Sequence, residues 1–214
     1  SKGKPTSRAI VEGANLYLTP HARRELEKLG VIVIKDSSAN KGGVICSSLE
    51  ILAGLTLTEE EFLTNKPRLM EEILAIIATK ARDEAQLLLK THEETGEYLT
   101  DLSEKVSEKI NTYTYELLDY LESIVLSSHP DDPLVKALLN FCPGLLVEKY
   151  RDRVIQNLPI IHKKAIIACF IASRLVYTKG LHWQPSIVDV LPLVASDPNI
   201  TSSPLKNHSF QILE

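Results

Sequence analysis

Two short polar clusters carry the side chains best suited to chemistry. The first is Glu12-Gly13-Ala14-Asn15, and the second runs from Asn40 through Gly42-Gly43-Val44 to Ser47. An asparagine amide both donates and accepts hydrogen bonds, which suits sugar hydroxyls or a carboxamide. A glycine pair lets backbone approach a ligand closely, and a helix opening there leaves its first amides without intrahelical partners, a setting that favours anions. Ser47 falls about one turn into that helix, where its hydroxyl and the nearby amides can take a carboxylate. Each residue also has a plainer use. Asn15 can be a turn residue, Asn40 a helix cap, and the glycine pair an ordinary strand-to-helix connection.

The elements flanking these clusters place them together. Residues 9–11 form a short apolar run that ends at the first cluster. Thr19-Pro20 then starts a helix, since Thr caps well and Pro suits the first helical position. Ala22, Leu26 and Leu29 share one face of it, with Arg23, Arg24, Glu25, Glu27 and Lys28 on the others. Gly30 stands at the expected C-terminal cap. Residues 31–34 supply a second apolar strand, bounded by the polar turn Lys35-Asp36-Ser37-Ser38. Strand, helix and strand in so short a span imply parallel strands joined by a right-handed crossover. Ligands sit beyond the carboxyl ends of such strands, so Asn15 and Asn40 are expected at one rim. Two parallel strands do not make a stable sheet. Their partners are expected before residue 1, or the edge is covered in another way.

Downstream the pattern is helical. The helix opened by the glycines is expected to run to about residue 52, with Gly54 ending it. Thr58 and Glu61 have the spacing of a capping box. A long helix is expected over residues 67–92, with Leu69, Ile73, Ile76, Ile77, Ala81 and Leu88 as its apolar stripe, and Thr95-Gly96 breaks it. Residues 99–126 carry Val106, Ile110, Tyr113, Leu117, Tyr120 and Ile124 in alternating steps of four and three, the seam of packed helices. After the loop at residues 129–133, shorter helices are expected over 134–141, 145–156 and 160–178. The last is apolar all round its middle and should be the most buried of this half. Arg174 within it reads as a structural ion-pair partner. One more helix is expected over 185–194, interrupted by Pro192, and residues 196–214 read as an extended tail.

Composition bounds the function. The chain has 214 residues, 44% hydrophobic and 24% charged, as in a soluble globular protein. A net charge of -4 gives no case for nucleic acid. The longest apolar run, residues 165–172, is too short to span a bilayer. Three cysteines and six scattered histidines lack metal-ligand spacing, so no metal site is expected and reduced thiols in a cytoplasmic protein are. The chain does not start with Met, and Ser-Lys-Gly-Lys reads as a cut end.

The two clusters in order, with Thr19-Pro20 and Ala22 between them and Glu50 after them, resemble the paired signatures near the end of the cofactor domain in glutamate dehydrogenases. The stretch from Lys35 to Gly43 is most similar to the large-subunit, NAD-specific type. The resemblance covers residues 8–52. It implies a Rossmann-type fold over residues 1–57, completing a dinucleotide-binding domain, then a helical region over 58–195. It implies NAD as cofactor and reversible oxidative deamination of L-glutamate to 2-oxoglutarate and ammonia. By the same resemblance Asn15 and Asn40 lie against the nicotinamide ribose, Ser47 contacts the side-chain carboxylate of glutamate, Val44 lines that pocket, and Gly42 and Gly43 permit the close approach. A homo-oligomer is expected of the full-length enzyme.

The chain also departs from the pattern. Lys41 replaces a small residue and His21 an acidic one. The Gly-x-Gly-x-x-Gly turn is absent, as are the family's catalytic Lys and Asp, which belong to earlier segments. The isolated chain is therefore expected to be inactive. The competing readings are a related dehydrogenase acting on an apolar amino acid, and a non-catalytic helical module for assembly or regulation. A hydroxyl at Ser47 favours a carboxylate-bearing substrate over an apolar one.

Overall fold

In the structure, a computed structural model that describes residues 3–197 and 200, the chain opens with β1 (Ala9–Val11), α1 (Pro20–Lys28) and β2 (Ile32–Ile34). The strands are parallel, with Ala9 opposite Ile32, Ile10 opposite Val33 and Val11 opposite Ile34. Thr19 caps α1 by accepting from the Ala22 amide at 3.2 Å. Gly30 adopts φ +81°, the left-handed value that lets the chain turn from α1 into β2. The expected polar turn after β2 is instead a single helical turn, α2 (Asp36–Ala39). Among the described residues these two strands are the whole sheet, so β1 keeps one unpaired edge.

Helices make up the rest: α3 (Gly42–Thr56), α4 (Glu59–Thr95), α5 (Leu99–Glu122), α6 (Pro133–Phe141), α7 (Gly144–Lys149), α8 (Arg151–Asn157), α9 (Ile160–Lys179) and α10 (Ile187–Ser196). Several expected boundaries move. Helix α3 continues through Gly54, because Leu52, Ala53 and Leu57 on either side are buried in the core and outweigh one glycine. Helix α4 begins at Glu59 rather than at Pro67. The capping box is complete, with Thr58 and Glu61 each accepting from the other's amide at 3.2 and 2.9 Å. Pro67 deprives the Leu63 carbonyl of an intrahelical donor, but both residues are exposed and water can serve that oxygen. The helix expected over 145–156 breaks at Tyr150 into α7 and α8. Helix α10 passes through Pro192.

The core lies between α5 and α9, closed by α4 and α6. Helix α9 is buried along Ile167, Ala168, Ile171, Ala172 and Leu175, as its all-round apolar middle requires. Helix α5 buries Leu99, Leu102, Val106, Tyr113, Leu117 and Leu121 and ends at Glu122. Its face is rotated from the expected seam: Ile110, Tyr120 and Ile124 pack only at the margin. Arg174 pairs with Asp83 of α4 at 3.3 Å. Among the described residues no single helix is long and apolar enough to cross a membrane. The tail expected at 196–214 lies almost wholly outside the described residues.

Candidate functional site

An ion triad builds the rim from below. Glu12 follows β1, Asp36 follows β2, and Arg23 reaches both from α1; all three are buried. Arg23 Nε donates to Glu12 Oε2 at 2.7 Å and its Nη2 lies 3.2 Å from Asp36 Oδ1. The carboxylates also take backbone amides: Glu12 from Leu18 at 3.2 Å, Asp36 from Leu16 at 2.7 Å and Ser37 at 2.8 Å. Burial by itself would raise the Asp36 carboxyl, but those two amides and the Arg23 charge outweigh it and hold it below its ordinary range. Hydrogen bonding to Glu12 in turn raises Arg23.

This clamp shapes the loop that carries Asn15. Leu16, beside it, has φ +54°, a left-handed conformation that a branched side chain adopts only when its surroundings impose it. The Asp36 carboxylate grips the Leu16 amide and imposes it. Asn40 Nδ2 then donates to Asn15 Oδ1 at 2.9 Å, which joins the ends of the two strands across the crossover. That bond leaves the Asn15 amide its donors and Asn40 its carbonyl oxygen.

Beside this amide pair, α3 begins at Gly42. Its first backbone bond to the preceding turn runs from the Ile45 amide to the Lys41 carbonyl at 3.1 Å. A Cβ at Gly43 would meet nothing within 4 Å, whereas one at Gly42 would stand 3.5 Å from Ile77. Gly43 therefore faces open space. Val44 is 72% exposed, and Ser47, also exposed, donates to the Gly43 carbonyl at 2.9 Å. Asn15 and Asn40 thus meet beyond the strand ends, while Gly43, Val44 and Ser47 lie exposed along the start of α3. Lys41 pairs with Glu84 of α4.

Two features of the site are not evident from the sequence. Glu12 and Asp36, expected only as members of a polar cluster and a turn, pair with Arg23, and Arg23 and Glu27, expected on the polar faces of α1, are both buried. Glu27 accepts from the Thr100 amide at 3.0 Å and its hydroxyl at 2.6 Å, capping the start of α5. The sequence carries only a long-range mark of the triad. An acid stands directly beyond each strand, with an arginine on the helix between them. Among the described residues no three His, Cys, Asp or Glu side chains converge as a metal site would need.

The model of the family described as glutamate/leucine/phenylalanine/valine dehydrogenase matches residues 2–111, just over half of the chain. The chain belongs to that family. Within it, the chain is 37% identical over 193 residues to an NAD-specific glutamate dehydrogenase of Neurospora crassa, covering 83% of this chain and 18% of that protein. It is 37% identical over 187 residues to glutamate dehydrogenase 2 of Dictyostelium discoideum, covering 81% and 17%. Against a probable NAD-specific glutamate dehydrogenase of Schizosaccharomyces pombe it is 33% identical over 187 residues, covering 82% and 16%. The chain therefore spans less than a fifth of the length of these dehydrogenases. No solved structure matches it.

Proposed function

We propose that this chain is the closing part of the cofactor- and substrate-binding face of an NAD-dependent glutamate dehydrogenase, followed by a helical region. The observation that carries the reading is the Asn15–Asn40 hydrogen bond, which gathers two separate signature clusters at one rim beside an open glycine helix start. The remaining amide donors and carbonyl of that pair suit the hydroxyls of a nicotinamide ribose. NAD, when bound, accepts hydride from the substrate carbon. Asn15 and Asn40 hold and orient its ribose, while Ser47, its hydroxyl turned from the Gly43 carbonyl, donates to the side-chain carboxylate of L-glutamate, with Val44 and Gly43 beside it. The pyrophosphate turn and the catalytic Lys and Asp belong to segments outside this chain, so no catalytic residue is assigned here. The unpaired edge of β1, a strand that carries exposed Val11, accepts further strands of a Rossmann-type domain. Residues 1–57 then complete that domain, and 58–195 form the helical region of a cytoplasmic enzyme.

The test is made in the intact dehydrogenase. Losing one hydrogen bond to a charged group costs about 1.5–3 kcal/mol, or roughly a tenfold to hundredfold change. Ser47→Ala is expected to raise KM for glutamate by that factor, and Asn40→Ala to raise KM for NAD. Unchanged constants in both variants would remove the assignment.

A second reading gives the helical region an assembly role, as in a homo-oligomer. It rests on Leu63, Met70 and Leu74, which are exposed along one side of α4. Light scattering on the intact protein tests it: conversion of an oligomer to smaller species by Leu74→Glu supports the role, and an unchanged mass opposes it.

A further inference from the structure

Lys41 lies between Asn40, whose amide joins the rim, and Gly42, which opens α3. Its ammonium does not face the rim. It pairs with Glu84, in the middle of α4, and the Tyr177 hydroxyl of α9 donates to the same carboxylate oxygen at 2.8 Å. Two helices of the C-terminal region thus converge on one residue of the α2–α3 joint. That joint is only Asn40 and Lys41, with the Asn40 amide bonded to the Asp36 carbonyl at 2.8 Å and the Lys41 carbonyl taken by Ile45 at 3.1 Å. Moving Lys41 therefore moves its neighbours on both sides.

Packing does not account for the carboxylate. Glu84 is 2% exposed, and its Oε1 has no hydrogen-bond partner among the described residues. A buried charged oxygen without a partner destabilises, and an apolar residue of similar volume would pack the site better. Burial, followed by the Glu84 charge, raises the Tyr177 phenol, so it remains a proton donor. The arrangement suits holding a lysine in place and is poorly suited to filling space.

We propose that Glu84 and Tyr177 are positioning residues for the rim, holding Asn40 and the first amides of α3 in place through Lys41, so that α4 and α9 set how tightly the site binds its ligands. The inference rests on the reading of Asn40 and Ser47 given under the proposed function. Neither Glu84 nor Tyr177 touches a ligand; both act through Lys41.

The experiment uses the intact dehydrogenase and measures KM for NAD and glutamate, kcat, and the melting temperature. Tyr177→Phe is the mild variant and Glu84→Gln the stronger one. Each is expected to raise KM for NAD or glutamate about threefold to tenfold, the effect of one net hydrogen bond, with kcat within about twofold. Lys41→Arg should retain the parental KM, whereas Lys41→Met should match Glu84→Gln. The double variant Lys41→Met/Glu84→Gln should be no worse than either single one, because the two residues act as a unit. Parental KM in both Tyr177→Phe and Glu84→Gln, alongside a raised KM in Asn40→Ala, overturns the positioning role and leaves the site assignment intact. Parental KM in Asn40→Ala and Ser47→Ala as well overturns both. A fall in melting temperature and kcat with KM unchanged would mark Glu84 as merely structural, which also overturns the inference.

Discussion

Replacing Arg23 with methionine tests whether the buried triad holds the strand unit together. The substitution keeps an unbranched apolar stem and removes the guanidinium from between Glu12 and Asp36, whose side chains are 1% and 7% exposed. Breaking a buried ion pair by removing one partner costs about 3–5 kcal/mol. Asp36 keeps two amide donors and Glu12 keeps one, which places this case near about 3 kcal/mol, or roughly a hundredfold in an opening equilibrium. Hydrogen exchange reads that locally. The amides of Glu12 and Ile32, bonded across the strands to Ile34 at 3.0 Å and Arg8 at 3.1 Å, should lose about two decades of protection at pH 7. Amides in the middle of α9 should change little. The pH dependence has a definite sign. The depressed Asp36 carboxyl contributes stability that is complete above its unfolded value near 3.8 and is lost as pH falls through the lower folded value. Without Arg23 that carboxyl protonates at higher pH, so the gap between variant and parent narrows on acidification. Strand protection within threefold of the parent at pH 7, or a gap that widens toward acid, would refute the reasoning.

Two further outcomes are expected. The Arg153 hydrogen bond, followed by the Thr58 amide, holds the Glu61 carboxyl down to about 2 from an ordinary value of 4.5. The stability it contributes is therefore complete above about 4.5 and fades as pH falls toward 2. A melting-temperature series over that range should fall more steeply for the parent than for Glu61→Gln, and parallel curves would contradict the pairing. The thiols should label in order of access with an aromatic disulfide reagent. Exposed Cys169 comes first and half-buried Cys46 next. Cys142, fully enclosed and pushed up to about 12 by burial, should react only after unfolding, and native-state labelling at the rate of Cys169 would show the core to be open there.

What the chain shows in its sequence is what depends on neighbours along the chain. Thr19-Pro20, Gly30, the Thr58–Glu61 box and Gly96 each mark an end by local geometry, and the structure follows all four. The Asn15–Asn40 meeting was legible because a right-handed crossover leaves few alternatives for the two strand ends. The misses are long-range. Nothing local separates a solvent-facing Arg23 from one clasped by acids beyond two different strands. Glu27 reads as a surface residue until Thr100 is known to lie beside it. Pro67 misplaced the start of α4, because its cost is small where the orphaned Leu63 carbonyl faces water. The link from Lys41 to Glu84 and Tyr177 spans three helices, and no spacing rule announces it.

The contact between the strand unit and α5 has a further consequence. It is lined with hydroxyls and carboxylates: Ser103 meets Ser38 at 2.5 Å and Ser37 at 3.1 Å, and Thr100 is held by Glu27. Parting this seam uncovers groups that water can serve at once, together with Ile34 of β2, which packs against the helical core. Parting α5 from α9 uncovers leucines and isoleucines, which water penalises in proportion to their area. The seam between the strands and the helical body is therefore the more polar of the two contacts. A thermal fluctuation that lifts the strand unit therefore bares a mixed surface, hydroxyls and carboxylates beside the Ile34 side chain.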